Sequence, residues 1–256
     1  MNEIGDAVSE GKMKNYKITV QYDGTKYNGW QRQGNTKNTI QERFENVLSR
    51  MCSKDVEIFA SGRTDAGVHA DEQTANFKCD VVMNEMEIQD YLNKYLPEDI
   101  RVTSIEEADM RFHSRLNAKS KTYEYTIAIK KPDVFIRKYV FCAEKKPDIE
   151  QMRKAADLIV GKHDFKGFSS VGRTKKSTVR TVNFIEIEEQ GEIIKIRING
   201  DGFLYNMVRI ISGTLYDIGI GKLEKDIIEE IFEEKIRENA GVTLPASGLR
   251  LVKVYY

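Results

Sequence analysis

One short segment of the chain carries the residues best placed to do chemistry, Gly62-Arg63-Thr64-Asp65-Ala66-Gly67-Val68-His69-Ala70. Its apolar content is too low for core packing to explain it. The two glycines permit positive φ or close approach of the backbone to a ligand, and they bracket one carboxylate, Asp65. An ionised carboxylate held at a fixed angle can act as a nucleophile or a base. The alternative is a tight connection in which Asp65 only accepts backbone hydrogen bonds.

A second charged residue, Arg209, lies near the border of the apolar face of a helix predicted over residues 203–217. A half-buried arginine needs a carboxylate partner, because an unpaired one is costly to bury. Asp65 is a candidate partner, and pairing would lower the pKa of Asp65 and keep it ionised. The alternative is a surface arginine whose head group reaches solvent.

Aromatic and basic residues elsewhere suggest a nucleic-acid partner. Tyr123, in Lys121-Thr122-Tyr123-Glu124-Tyr125, could stack on an exposed base, although core packing is the alternative and is the interpretation we adopt for Tyr125. Residues 111–121 contain four basic residues and no acid, and residues 162–180 contain six basic residues against Asp164 alone. Two such runs in a chain of zero net charge suggest one local anionic partner.

A metal site is the competing interpretation of the same region. Asp65, His69, Asp71 and Glu72 are ligand types, but a strand starting near Glu72 would send alternate residues to opposite faces. A zinc deaminase is excluded because the His-x-Glu and Pro-Cys-x-x-Cys signatures are absent from the sequence. A metal- or carboxylate-dependent hydrolase built on Asp65 with Asp71 or Glu72 stays open.

The hydrophobic periodicity predicts the same order of elements, β-α-β-β-α-β, in each half of the chain. The first half has predicted strands at 16–22, 56–60, 72–78 and 100–105 and helices at 39–51 and 84–96. The second half has predicted strands at 123–129, 180–188, 192–199 and 249–255 and helices at 148–159, 203–217 and, as an extra acidic helix, 223–238. This order predicts an α+β fold of two ferredoxin-like, RRM-like halves whose antiparallel sheets join around a central cleft. The basic segments would place positive charge at this cleft, which suggests that it binds RNA. We place a flexible tail at 1–13, an N-terminal domain with the Asp65 segment at 14–115, and a C-terminal domain at 116–256.

Composition narrows the class of protein further. The 256 residues include 40 Lys and Arg against 40 Asp and Glu, with 40% hydrophobic residues, which is enough for a folded core. No apolar run approaches the roughly 18 residues of a membrane span, and the polar start does not resemble a signal peptide. Three distant cysteines give no support to a disulfide framework, so we expect a cytoplasmic protein without a membrane partner.

With these residues identified, the chain resembles the TruA family of tRNA pseudouridine synthases over about residues 14–256. The segment from Gly62 to Ala70 is similar to the family's active-site motif. Further segments match in family order: Tyr22-Asp23-Gly24-Thr25-Lys26-Tyr27-Asn28-Gly29-Trp30-Gln31-Arg32-Gln33, Phe112-His113-Ser114-Arg115, Lys121-Thr122-Tyr123, His163-Asp164-Phe165, Phe203-Leu204-Tyr205-Asn206-Met207-Val208-Arg209 and Pro245-Ala246-Ser247-Gly248-Leu249.

The resemblance implies an enzyme that isomerises uridine to pseudouridine in the anticodon stem-loop of tRNA, at positions 38, 39 and 40, as a homodimer without cofactor or metal. It implies that Asp65 is the catalytic nucleophile, that Arg209 pairs with it and that Tyr123 contacts the base. Arg63 would act in base flipping or phosphate contact, and the motif residues Thr64 and His69 would bind substrate. The alternatives are the same chemistry on another RNA, or a catalytically silent RNA-binding protein.

Overall fold

The computed structural model describes residues 11–256, and its helices and strands confirm the predicted α+β class. Of the tail predicted over residues 1–13, residues 1–10 lie outside the described residues. The proposed domain boundary between residues 115 and 116 lies in the connection between the fourth and fifth strands and stays a prediction. Within residues 11–256, none of the helices is both long and apolar enough to cross a bilayer.

Ten strands and five α-helices make up the described chain. The strands are β1 (Lys14–Tyr22), β2 (Ile58–Ala60), β3 (His69–Cys79), β4 (Ile100–Ala108), β5 (Ser120–Ala128), β6 (Phe141–Cys142), β7 (Gly161–Asp164), β8 (Val179–Gln190), β9 (Ile193–Gly200) and β10 (Leu249–Tyr255). The helices are α1 (Ile40–Cys52), α2 (Glu85–Tyr95), α3 (Ile149–Ile159), α4 (Met207–Gly219) and α5 (Ile227–Glu234). The predicted β-α-β-β-α-β order is present in both halves, with β6, β7 and α5 added to the second.

The strands form one sheet with the order β4-β1-β3-β10-β5-β9-β8-β7, while β2 pairs with β3 and β6 with β5. Within each half the long strands pair antiparallel, as predicted. The junction between the halves differs from a joining of two antiparallel edges, because β3 and β10 run parallel and pair through only two residue pairs. These are Arg250 with His69 and Leu251 with Ala70. The long β3 pairs with β10 at its start and with β2 in its later part.

Amphipathic helices cover one face of the sheet and close the core. Thr39 caps α1 by accepting a hydrogen bond from the Glu42 backbone N–H, and the apolar face of α1 buries Phe44 and Leu48. Each fully buried side chain of this size contributes roughly 1.5–3 kcal/mol to stability. The helices therefore fix the sheet whose strand ends carry the candidate site.

The helix predicted to start at Phe203 begins instead at Met207. Asn206 has a left-handed backbone with φ of 60°, which a continuing right-handed helix does not allow. Residues 201–206 therefore form a loop ahead of α4, and this loop lines the cleft described below.

Candidate active site

The segment that contains Asp65, here called the Asp65 loop (residues 61–68), connects β2 to β3 and lines a cleft of about 550 Å³. The Val68 backbone N–H donates to the Asp65 carbonyl oxygen at 3.1 Å, which closes a turn, and Gly67 within it has φ of 80°. Glycine adopts this left-handed conformation without the strain that a Cβ would cause. The turn presents the Asp65 side chain to the cleft.

The loop that follows β1 supports the Asp65 loop through backbone hydrogen bonds. Trp30 N–H donates to the Thr64 carbonyl oxygen at 3.0 Å, and Gly67 N–H donates to the Tyr27 carbonyl oxygen at 3.2 Å. Gly29 has φ of 85°, and a Cβ at this position would lie 2.6 Å from the Thr64 carbonyl oxygen. Glycine at position 29 thus permits the close contact that holds the Asp65 loop in place.

The Asp65 carboxylate is half-buried, and it accepts no hydrogen bond from the described part of the chain. Burial raises its pKa above the ordinary aspartate value, and the positive charge of Arg209 offsets part of that rise. The alternative in which this carboxylate serves as a backbone hydrogen-bond acceptor is therefore wrong. A carboxylate with free lone pairs in a cleft is available to a substrate.

Arg209, near the start of α4, is fixed by other partners. Its Nε donates to the Leu244 carbonyl oxygen at 2.7 Å, and its Nη1 donates to Asn206 Oδ1 at 2.8 Å. It acts on Asp65 through charge, and within residues 11–256 the two side chains form no direct ion pair. A lowered pKa is expected only for a direct pair, and without that pair burial outweighs the attraction of the Arg209 guanidinium and the pKa of Asp65 is raised.

Tyr123, on β5, lies on the wall of the same cleft and packs edge-on against Phe203, with ring centroids 5.2 Å apart and planes at 82°. Burial raises the pKa of the Tyr123 hydroxyl, and the nearby Tyr22 and Asp65 add to the rise, so the phenol stays protonated at neutral pH. The interpretation of Tyr125 as core is confirmed: it is fully buried, and its hydroxyl donates to the Pro245 carbonyl oxygen at 2.8 Å. Tyr123 and Phe203 thus give the cleft an aromatic wall beside the carboxylate.

Thr64 and Arg63 differ in orientation. The Thr64 side chain is buried, and its Oγ1 lies 2.7 Å from Tyr22 Oη in a hydrogen bond. Arg63 is exposed and lines both the cleft and an adjoining groove of about 820 Å³. The structure therefore brings Arg63 to the surface that a large ligand would meet, while the Thr64 hydroxyl anchors the loop.

His69 lies outside the cleft, which corrects its expected placement with the substrate-binding residues. In the strand register His69 lies opposite Arg250, and Arg250 lies opposite Glu124, so these three side chains share one face of the sheet. Tyr123 lies opposite Leu251 and directly precedes Glu124, so it points to the other face. His69 Nδ1 accepts from the Gly24 N–H at 3.1 Å and lines a separate cavity of about 660 Å³. Burial lowers its pKa, and the neighbouring Asp23 opposes this shift.

The alternative metal cluster is not assembled. Asp65 lines the cleft, whereas His69 and Asp71 line the cavity on the other face. Among residues 11–256, no three side chains of the His, Cys, Asp or Glu types converge to hold a metal ion.

The rim of the cleft is basic. Four basic side chains line it, namely Arg63, Arg115, Lys121 and Arg180. The acidic residues of the cleft are Asp65 and Asp201. Burial, with a contribution from the Arg115 charge, lowers the pKa of Lys121 to about 8. A Cβ at Gly62 would lie 3.1 Å from Lys121 Nζ, so the glycine leaves room for this side chain beside the Asp65 loop. Arg63 and Arg115 continue into the adjoining groove, where Arg32 and Lys176 extend the positive surface.

The sequence predicts no contact for Tyr22, although it ends the predicted strand 16–22 and begins a segment that resembles the family. Its hydroxyl bond to Thr64 joins two segments 42 residues apart, and alternation along β1 carries no signal for such a contact. Phe203 was assigned to a helix face and instead forms part of the cleft wall.

A carboxylate without a hydrogen-bond partner in the described residues, an aromatic wall and a basic rim together suit an enzyme that acts on a base within a polyanionic chain. A family model described as tRNA pseudouridine synthase matches residues 18–117 and 155–256. The chain belongs to this family, whose members are isomerases that act on uridine in tRNA.

Individual relatives agree with the family assignment. A protein of Bacillus sp. (strain KSM-64) named tRNA pseudouridine synthase A is 49% identical over 240 residues, which cover 93% of this chain and 98% of the relative. A tRNA pseudouridine synthase A 2 of Bacillus cereus is 46% identical over 245 residues, covering 95% of this chain and 100% of the relative. A solved archaeal box H/ACA sRNP Nop10-Cbf5 complex aligns over 92% of this chain and 47% of that chain at 11% identity and a TM-score of 0.38, which is too distant to support an argument.

Proposed function

We propose that this tRNA pseudouridine synthase modifies uridines 38, 39 and 40 in the anticodon stem-loop of tRNA, with Asp65 as its catalytic group. The observation that carries the proposal is the Asp65 carboxylate, which has no hydrogen-bond partner in the described residues and faces a cleft with an aromatic wall. Such a group is poorly explained by packing and well suited to react with a substrate.

The isomerisation balances without an external oxidant or reductant. The bond from N1 to C1′ breaks, the uracil turns within the cleft, and a bond from C5 to C1′ forms. The proton on C5 is released to solvent, and N1 gains a proton. An ionised Asp65 could attack C1′, add to C6 or remove the C2′ proton, and all three routes fit this carboxylate.

The surrounding residues fit supporting roles in that reaction. The edge-on Tyr123 and Phe203 pair provides a surface for the detached base, which must not escape before it turns. The charge of Arg209 favours the ionised form of Asp65. The motif residue Thr64 would support the substrate-contacting loop through Tyr22, and His69 has no contact role in this proposal.

The basic rim fits a phosphate backbone. The target uridine must leave its stack, at a cost of roughly a few kcal/mol, before its C1′ can reach a carboxylate inside a cleft. Contacts from Arg63, Arg115, Lys121 and Arg180 to neighbouring phosphates would offset this cost and would make binding weaken with added salt. We expect Arg63, which lines both the cleft and the adjoining groove, to contact the backbone beside the flipped nucleotide.

We also expect a homodimer in the cytoplasm, acting without cofactor or metal. Three free cysteines fit a reducing compartment, and the proposed reaction needs no redox partner.

Chemical mapping of pseudouridine in RNA tests the substrate. Total RNA from cells that lack the protein, and an unmodified tRNA transcript treated with the purified protein, should both report on positions 38–40. New pseudouridine confined to these positions supports the proposal, and modification of a different RNA would indicate the same chemistry on another substrate. RNA binding without modification would indicate a silent binding protein, and free uracil or cleaved RNA a hydrolase.

A further inference from the structure

The strand pairing that joins the two halves of the sheet is short and lies next to the candidate site. β3 and β10 pair only through Arg250 with His69 and Leu251 with Ala70. His69 directly follows the Asp65 loop, and Tyr123 on β5 lies opposite Leu251. The strand pairing between the half that carries Asp65 and the half that carries Tyr123, here called the seam, is therefore limited to two residue pairs. Side-chain contacts such as the ion pair of Lys253 with Glu72 at 3.4 Å add to it.

The Arg250 side chain crosses this seam on the face opposite the cleft. Arg250, on β10, has its Nε 3.1 Å from Asp71 Oδ2 on β3, and its Nη2 donates to Glu124 Oε1 on β5 at 2.6 Å. Glu124 directly follows Tyr123 and its side chain is only 2% exposed, whereas the Arg250 side chain is 41% exposed, so only the carboxylate end of this ion pair is shielded from solvent. A single guanidinium thus connects the strand after the Asp65 loop to the strand that carries Tyr123.

The two carboxylates depend on Arg250 to different degrees. Burial raises the pKa of Asp71, with Arg250 opposing the rise and Glu124 adding to it. Burial also acts to raise the pKa of Glu124, but hydrogen bonds from Arg197 and Arg250 outweigh it and the net pKa is lowered. Without Arg250, Glu124 would still be paired with Arg197, whose Nε lies 2.9 Å from its carboxylate. Asp71 would lose its partner and would face the like charge of Glu124 across the seam.

We propose that Arg250 is a positioning residue, which clamps β3 to β5 through Asp71 and Glu124 and so holds the Asp65 loop against the Tyr123 wall. The inference rests on the proposed function for its kinetic consequence, although the clamp itself is a property of the fold. Misplacement of reacting groups by about 1 Å can lower a rate by about 100-fold, so a small opening of the seam would be visible in kcat.

The chain offers a matched control in Arg197. It bonds the same Glu124 carboxylate, but it lies on β9 and therefore within the same half of the sheet as β5. Its removal weakens the anchoring of Glu124 without releasing β3. A second control is the pair Arg250→Gln with Asp71→Asn, which removes the guanidinium and also the charge that it leaves unpaired.

The test compares Arg250→Gln, Arg197→Gln and Arg250→Gln/Asp71→Asn by tritium release from tRNA labelled at uridine C5, and by hydrogen exchange of the amides of residues 65–71. Arg250→Gln should lower kcat by about 10- to 100-fold with KM changed less than about threefold, and should speed exchange at 65–71. Arg197→Gln should leave the exchange of these amides unchanged and kcat within about threefold. The double variant still lacks the link between β3 and β5, so its kcat should remain lowered.

The inference is overturned if Arg250→Gln has wild-type kcat and wild-type exchange at residues 65–71, or if Arg197→Gln produces the same loss. It is also overturned if the double variant regains wild-type kcat, because repulsion between the carboxylates, and not the lost clamp, would then cause the defect. If Arg250→Gln does not fold, Arg250→Lys replaces it, because it keeps the charge and loses the two-pronged geometry. It should then show an intermediate kcat, and a wild-type kcat overturns the clamp. An inactive wild-type protein would refute the proposed function, whereas the exchange measurement would still decide the clamp.

Discussion

Asp65 and Arg209 act on one another through charge while the Arg209 guanidinium donates its hydrogen bonds to Leu244 and Asn206. The carboxylate therefore keeps its lone pairs free, and the cation beside it is held in a fixed position by other groups. This arrangement differs from a structural ion pair, in which both partners would satisfy each other and neither would be available to a substrate.

Asp65→Asn should lower the rate of tritium release by a factor of at least about 10³, because Asp65 is the one carboxylate that the Asp65 loop presents to the cleft. The same change should leave the protein as stable or more stable at neutral pH. The pKa of Asp65 is raised by burial, so ionisation opposes folding at pH values above the folded pKa, and an amide removes that penalty. Thermal unfolding checks the stability.

Asp201→Asn is the matched control, since Asp201 is the other acidic residue of the cleft and its Oδ1 accepts from the Thr181 N–H. It should keep tritium release. Loss of release in Asp201→Asn with retention in Asp65→Asn would transfer the catalytic role to the other carboxylate and refute the account.

Arg209→Gln should move the acid limb of the pH–rate profile to higher pH. The positive charge of Arg209 opposes the raised pKa of Asp65, so its removal raises that pKa further. Activity requires the ionised carboxylate and is lost as pH falls through its pKa, so the loss should begin at a higher pH in the variant. Arg209→Lys should shift the limb less, and identical limbs in Arg209→Gln and wild type would contradict the coupling.

Lys121 should make RNA binding sensitive to alkaline pH. Burial and the Arg115 charge lower the pKa of Lys121 to about 8, so the side chain loses its charge as pH rises through that value. Binding of an anticodon stem-loop should weaken between about pH 7 and pH 9 in the wild type. Lys121→Arg should remove this dependence, and Lys121→Gln should reduce the slope of binding against salt by about one.

Gly29→Ala should destabilise the protein by about 1–3 kcal/mol and lower kcat, because its Cβ would lie 2.6 Å from the Thr64 carbonyl oxygen and its φ is 85°. Gly34→Ala is the control, since a Cβ at position 34 meets nothing within 4 Å. Denaturant unfolding and tritium release check both variants. Equal behaviour of the two would show that the loop after β1 does not hold the Asp65 loop.

The repeated β-α-β-β-α-β order could be predicted because alternation and helical spacing are local properties of each segment. The parallel seam between β3 and β10 could not, since it joins His69 to Arg250, which are far apart in the chain, through two residue pairs only. The strand β7 was missed because its four residues are largely polar and follow α3 directly.

The Asp65 loop was identifiable because two glycines around a carboxylate leave a local signature. The rise in the pKa of Asp65 could not be predicted, because the burial of its carboxylate depends on how the two halves of the chain pack around the loop. The resemblance implies that His69 binds substrate, but it carries no information on strand pairing, and the structure begins β3 at His69 and places this side chain on the other face of the sheet.

The most direct measurement is tritium release from a tRNA transcript labelled at uridine C5, run in parallel with a binding assay of the same transcript. The wild type should release one tritium for each uridine converted, while Asp65→Asn should bind the transcript with unchanged affinity and release none. Release by Asp65→Asn at the wild-type rate would contradict the assignment of the chemistry to this carboxylate.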